Sequence, residues 1–464
     1  MRKTSPLIAA LMASVALTAC ASNSNFASPS VPTPAAYAHA SATTTASAAS
    51  QGHWWTAFGD ARLERLVDAV VAKNNDLAAA ALRVRKAQLQ AGIVSNNLIP
   101  QVSGGVDGSS RNSDSGATNG ESYSASLAAS YEVDLWGKLA DQRAAANFEA
   151  GATEQDREAA ALALTGTTVD LYWQLAYQNQ RIATADQSLA YARQTLTLVR
   201  SQYGAGAVSA VELNEAEQSV RSQESTLAGL TQDRVETRNA LTVLLGGDAW
   251  STDDEPQNLA GVTLPSVSAG LPAQLVARRP DLRAAEQRLR SSLATADAAT
   301  ASLYPSLSLT GSLGGSSTAL SSLVANPVSV LGVGIDLPFL NWNRVSLTNK
   351  SARTDYEIAV ASFRTTLLQA FTDVDNALSA RTQLAAQGES LDAALTAATR
   401  AEQLYSVRYR AGAVPLRTWL DAQEQRRSAE LAVAQNSLER ANNQVDLYQS
   451  LGGDIAAGAT GHAD

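Results

Sequence analysis

The 464-residue chain holds one cysteine, three histidines and two methionines. With Cys20 alone, neither an internal disulfide framework nor a cysteine metal cluster can form. His39, His53 and His462 fall in polar tails or a loop and offer no pair for proton relay or metal binding. No nucleophile–base pair and no ligand cluster stands out, so the chain reads as a non-enzyme with no cofactor and no metal site. Basic charge is also scarce. There are 35 Lys and Arg against 44 Asp and Glu, with no basic cluster, which argues against nucleic acid as a partner. The apolar run from Leu7 to Leu17 falls short of the roughly 20 residues that a helical membrane span requires. Proline is absent between Pro100 and Pro256, which leaves room for uninterrupted helix.

What is present begins with Met1-Arg2-Lys3 and that short apolar core, the pattern of a secretory signal over residues 1–19. The run Leu17-Thr18-Ala19-Cys20 resembles the lipobox of bacterial lipoproteins, which implies that Cys20 becomes an acylated, palmitate-bearing N-terminus. Ala21 then fits the outer membrane, because an aspartate there would resemble an inner-membrane retention signal. Cleavage removes Arg2 and Lys3 and no acid, so the mature chain is more acidic than the formal −9 of the whole. Residues 20–50 are rich in Ser, Ala, Thr and Pro and are expected to form a disordered, lipid-anchored tether; residues 456–464 are expected to be a disordered tail.

The rest repeats itself at a spacing near 206. Tyr203-Gly204-Ala205-Gly206-Ala207-Val208 returns as Tyr409-Arg410-Ala411-Gly412-Ala413-Val414, and Leu245-Gly246-Gly247 as Leu451-Gly452-Gly453. Asp76-Leu77 matches Asp281-Leu282, Pro100 matches Pro305, and Val133-Asp134-Leu135 matches Ile335-Asp336-Leu337. Two repeats follow, 51–255 and 256–455. Each has a helix ending at a proline (Leu63–Ile99; Asp281–Tyr304), a Gly/Ser-rich stretch (Gln101–Asp134; Ser306–Leu337), and a pair of very long helices around a Tyr-x-x-Gly-Ala-Val turn.

A helix of ~60 residues at ~1.5 Å each runs on the order of 90–100 Å, too long to lie inside one globular core. Ile182, Ala185, Leu189, Ala192, Leu196 and Val199 step by three and four, and Leu213, Ala216, Val220, Leu227, Leu230, Leu241 and Leu244 fall on the same lattice. That is coiled-coil spacing. The Gly/Ser stretches alternate instead. Tyr123, Ala125, Leu127, Ala129, Tyr131 and Val133 are interleaved with small hydroxylated or acidic residues, Ala128 excepted, and Leu307, Leu309 and Leu313 with Ser and Thr. Period two predicts strands, in two hairpins with loops at Asn112–Gly120 and Gly314–Asn326. The phase of Val328–Leu337 breaks near Leu331. A hydroxylated second face suits a transmembrane barrel, but four strands per chain cannot close one, so a barrel must be shared between chains. The fold class expected is mainly α with transmembrane β.

These landmarks resemble the outer-membrane factors of tripartite efflux systems, the family of TolC and OprM, and its lipoprotein branch in particular. The residues that carry the resemblance are Trp54-Trp55-x-x-Phe58-Gly59-Asp60, Tyr131 to Lys138, Leu271-Pro272 to Leu282, Tyr304-Pro305-Ser306, Leu420-Asp421-Ala422-Gln423 and the duplicated glycine turns. The resemblance implies a homotrimer with a shared 12-stranded barrel, a periplasmic tunnel of long helices, and segments such as Asp248–Gly270 in an equatorial belt. It implies a passive outer-membrane export duct for drugs or other small molecules, working with a periplasmic adaptor and an inner-membrane pump of the RND type, in contact with outer-membrane lipid. A duct for protein secretion or metal-ion export stays open, as does a non-pore coiled-coil lipoprotein, although the scarcity of Met and His speaks against soft-metal export.

The resemblance also points to a gate at the periplasmic tip. The family's constricting aspartate falls on Asp421, with Glu215 at the duplicate position. Thr418, Glu424 and Val414 depart from what some members carry, which leaves Arg417 and Tyr409 as candidates for the closing bonds. The turns at Gly204, Gly206 and Val208 and at Ala411, Gly412 and Val414 are candidate adaptor contacts, and a purely structural hairpin role is equally compatible.

Overall fold

A computed structural model describes residues 24, 26–30, 34, 36–39, 53–111, 120–260, 264–265, 272, 275–323, 325 and 327–453. Cys20, the signal segment, most of the tether, the first hairpin loop and the C-terminal tail lie outside the described residues. The structure is mostly helical with one four-stranded sheet. Two compact units take segments from both repeats: Met1–Val31, Ala81–Asp156 and Asp281–Thr366 form one; Pro32–Ala80, Arg157–Pro280 and Leu367–Asp464 form the other. Among the described residues, no helix is long and apolar enough to cross a membrane.

The helix expected over Leu63–Ile99 is two helices, α1 (Ala61–Lys73) and α2 (Asn75–Ser95). Asn74 interrupts them in an extended conformation. Its side-chain oxygen accepts from the N–H groups of Asp76 and Leu77, and its amide donates to the Leu244 carbonyl. A side chain able to cap the next helix competes with helix continuation, and periodicity alone does not reveal it. In the second repeat, the break falls at Arg279, before Pro280 opens α5 (Pro280–Ala301).

The sheet belongs to the first unit. β1 (Gln101–Arg111), β2 (Gly120–Val133), β3 (Ser306–Ser317) and β4 (Val328–Asp336) run antiparallel in chain order, leaving β1 and β4 as edges. Register puts Val102, Val106, Tyr123, Leu127, Tyr131, Leu309, Leu313, Val333 and Ile335 on one face. The other face carries Ser103, Ser109, Ser124, Ser126, Ser130, Ser308, Thr310 and Ser312. Val328 and Val330 fall on the hydroxyl face, which explains the broken phase. Gly314 to Ser317 are strand rather than loop. Gly314 pairs with both Ser126 and Val328, and a Cβ there would stand 2.9 Å from the Ala125 carbonyl. Glycine was read as a loop signal where close backbone approach requires it.

The junction from β2 to α3 (Lys138–Gly204) explains the Tyr131 to Lys138 motif. Asp134 accepts from the N–H groups of Leu139 and Ala140, Lys138 pairs with Glu132 at 2.7 Å, and Trp136 stacks on Tyr304 while donating to the Pro305 carbonyl.

In the second unit, Trp54 stacks on Tyr448, and Phe58 packs against Trp173 and Tyr448. Asp60 caps α1 and accepts from the Tyr172 hydroxyl at 2.5 Å. Burial alone would raise the Asp60 pKa, but the bonds from Tyr172 and Arg62 hold it below the usual carboxylate range. The paired helices are α3 with α4 (Ala210–Leu244), and α6 (Trp342–Arg410) with α7 (Leu416–Ser450). Ala185, Leu189, Ala192, Leu196, Val199, Ala216, Val220, Leu230 and Leu241 are buried, so the three-four lattice is the packed seam.

Asp170 sits in this unit on α3. Burial first, and Asp446 second, push its carboxyl up to about 7. A folded-state pKa above the unfolded value means that the folded protein holds the proton longer. The folded state therefore loses stability as pH rises from about 4 to about 7. Asp170→Asn is expected to raise the unfolding free energy at pH 8 by on the order of 2 kcal/mol, and with it the thermal midpoint, and to change both little at pH 4. Melts followed by circular dichroism at the two pH values check this; equal shifts at both would contradict it.

Candidate functional site

Each helix pair reverses through a duplicated turn in the second unit. Gly206 and Gly412 have φ of 71° and 72°, the left-handed region that glycine tolerates. The Gly206 N–H donates to Tyr203 and the Ala207 N–H to Gln202; Gly412 and Ala413 repeat this with Tyr409 and Arg408. This closes both α3 and α6 in a Schellman motif. The exits differ. Ser209 and Glu212 form a capping box at the start of α4, whereas Pro415 precedes α7. Gly204, Gly206, Ala411 and Gly412 are exposed, and Val208 and Val414 pack partly buried against the core beside the turns.

That core joins Leu189, Ala192, Leu196, Val199, Ala216 and Val220 to Tyr409, Leu416 and Trp419. Tyr409 is only 7% exposed, stacks on Trp419 and donates to Gln202 Oε1 at 2.9 Å. Burial holds its phenol pKa above the ordinary value, with Glu212 adding to the effect. Its duplicate, Tyr203, is 46% exposed. Trp419 stands where the first repeat has Leu213, and its indole N–H donates to Glu402 Oε1. Trp419, Gln202 and Glu402 escaped sequence reasoning. The one available signal was an aromatic residue in one repeat opposite leucine in the other.

The acidic candidates meet at one arginine. Arg417 lies 3.6 Å from Glu215 on α4 and 3.6 Å from Asp421, one turn along α7. Of the four gate candidates, three therefore share one ion-pair cluster, and Tyr409 lies in the buried core beside it. Asp421 and Arg417 side chains are 65% and 70% exposed, so each pair contributes about 0–1 kcal/mol. Such a link between the two helix pairs is easily broken. A polar groove of about 450 Å³ runs between the pairs, with Tyr191, Leu198, Glu402, Arg410, Trp419 and Arg427 among its walls. Among the described residues, no group of three or more His, Cys, Asp or Glu could hold a metal ion.

A duplicated pair of antiparallel long helices joined to a four-stranded sheet is also the arrangement that the comparisons find. The sequence profile of the outer membrane efflux protein family matches residues 66–247 and 271–453. This chain belongs to that family. The pyoverdine export outer membrane protein OpmQ of Pseudomonas putida is 33% identical over 413 residues, 86% of this chain and 87% of that one. The toluene efflux pump outer membrane protein TtgC, also of Pseudomonas putida, is 30% identical over 417 residues, 88% and 86% of the two chains. The solved structure of the outer-membrane channel OprN superposes with a TM-score of 0.83 at 28% identity, covering 94% of this chain and 99% of that one. Membership places the chain in the outer membrane as an efflux channel component.

Proposed function

We propose that this chain is one of three identical subunits of a passive export duct, lipid-anchored through Cys20 and gated at its periplasmic tip. The carrying observation is the sheet. It has two open edges, one apolar face with aromatic residues and one hydroxyl face. Open edges are not tolerated in lipid, so β4 of one copy must meet β1 of the next. Three copies give twelve strands with hydroxyl groups lining a wet lumen. The channel performs no chemistry. A periplasmic adaptor would seat at the turns around Gly204–Val208 and Arg410–Val414 and at the groove beside them, and an inner-membrane pump of the RND type would supply the energy.

The Glu215–Arg417–Asp421 cluster supports the gate reading. In a trimer it appears three times, so carboxylates converge while Arg417 neutralises part of the repulsion. Relatives of similar identity are named for pyoverdine export and for toluene efflux, two chemically unlike cargoes. That supports a duct whose cargo is chosen by the pump, with drugs and other small molecules as the class.

Planar-bilayer recording tests this. Purified wild-type protein is expected to show small conductance, and Asp421→Ala and Arg417→Ala a several-fold increase. If neither variant conducted, the channel reading would fail; if all three conducted alike, the gate assignment alone would fail.

A further inference from the structure

The stretch read from composition as a free tether makes specific contacts where it is described. In the first unit, the backbone N–H and the hydroxyl of Ser24 both donate to the Asp297 carboxylate, at 3.2 and 2.7 Å. Two residues on, the Phe26 ring lies 4.3 Å from the Arg290 guanidinium. Asp297 and Arg290 are both on α5, two turns apart, on the same side of the helix. Asp297 is a buried acid, 8% exposed, in a stretch of α5 whose other buried residues, Ala294, Ala296, Ala298 and Ala301, are alanines. A buried carboxylate needs donors, and Ser24 supplies two. Within the second unit, the same segment places Tyr37 in the core, and His39 donates its backbone N–H to Asp375, with Nδ1 2.9 Å from the same carboxylate.

We propose that the Asp297–Arg290 face of α5 is a built docking site for the chain's own N-terminal segment. That segment is then a strap that fixes where the acyl anchor enters the membrane. The second half of this rests on the acylation of Cys20 proposed above. Four residues separate Cys20 from Ser24, a reach of at most about 14 Å. Seven residues of mostly helical chain separate Asp297 from Tyr304, about 10 Å. Tyr304 stacks with Trp136 beside the helix-side ends of the strands, and Phe339 and Trp342 near the end of β4 are exposed. Aromatic residues at the end of membrane strands mark the lipid–water interface. The strap therefore holds the acyl chains at the level that this cluster marks, and the anchor cannot wander over a tether's length. One aromatic ring and one pair of donors are enough to seat the segment when the acceptor is buried.

Disulfide trapping tests the docking, with little cysteine background since Cys20 is the only native cysteine. In full-length protein, Ser24→Cys with Asp297→Cys is expected to form a disulfide on export, seen as thiols blocked to maleimide until reduction. Ser24→Cys with Thr295→Cys, on an exposed face of α5, should remain free. Trapping of neither pair, or of both equally, overturns the docking. Should Asp297→Cys not fold, hydrogen exchange on wild-type protein replaces it. Exchange over residues 24–30 should be at least tenfold slower than in Asp297→Asn, and equal rates overturn the docking. The mass of the N-terminal peptide reads acylation separately. An unmodified Cys20 with a trapped strap sinks the anchor and leaves the docking site standing.

Discussion

Gly452→Ala is expected to lower the unfolding midpoint far more than Gly412→Ala. Both positions have positive φ, 91° and 72°, so alanine at either costs about 1–2 kcal/mol of backbone strain. Only Gly452 faces a wall. A Cβ there would stand 2.7 Å from the Arg278 carbonyl oxygen and 2.8 Å from its carbon, whereas at Gly412 nothing lies within 4 Å. The obstacle is backbone and cannot rotate away. It is also held in place, because the Arg279 N–H donates to the Leu275 carbonyl and Pro280 fixes the next φ. Forcing an extra methyl against it adds about 1–3 kcal/mol, for a total near 4 kcal/mol against about 1–2. The first repeat carries the same device, since a Cβ at Gly246 would stand 2.8 Å from the Lys73 carbonyl. Gly246→Ala should therefore behave like Gly452→Ala, and Gly206→Ala like Gly412→Ala. Thermal melts of the four variants decide this. Four equal shifts would mean that the close approach after α4 and α7 does not exist.

Glu255→Ala is the second large effect, expected to destabilise by about 3 kcal/mol. Glu255 is 1% exposed in the loop that follows α4. Arg234 pairs with it at 2.9 Å, Arg238 contacts its other oxygen, and the Asn179 amide reaches it from α3. The carboxylate therefore ties the loop to both helices of the first pair. Removing it leaves two part-buried guanidinium groups facing each other with no counter-charge, which costs more than the pair contributed when intact. Glu255→Gln keeps the hydrogen-bond acceptor but loses the charge, and is expected to fall between alanine and wild type. Protease sensitivity of the segment after Leu244 gives an independent readout: cleavage there should quicken in Glu255→Ala before global unfolding sets in. Unchanged cleavage and an unchanged midpoint would remove the anchoring role.

Both effects rest on contacts that repeat or bridge what is distant in the chain, and this separates the legible from the illegible. The glycines were visible as duplicated motifs. Their partners, Lys73 and Arg278, were not, because a close approach leaves no trace in the pattern of either segment. Nothing in the sequence sets Glu255 apart from the other acids of the chain. The Glu215–Arg417–Asp421 cluster was partly legible. Asp421, Glu215 and Arg417 were each picked out by resemblance or by position in the repeat, but that one guanidinium stands between the two carboxylates depends on how α4 registers against α7. Tyr409 was read as a bonding candidate; its stacking on Trp419 and its bond to Gln202 could not be foreseen.

By itself, the sequence determined the duplication, the long proline-free helices, their three-four seam, the alternating strands and the family, because each is a periodic or local property written along one segment. Only the tertiary structure decided where Asn74 breaks a helix, that Gly314 is strand, which acids meet Arg417, and that Ser24 finds Asp297. Those outcomes depend on side chains from segments far apart arriving at one place. Registration of packed helices and strands sets that arrival, and no single segment encodes it.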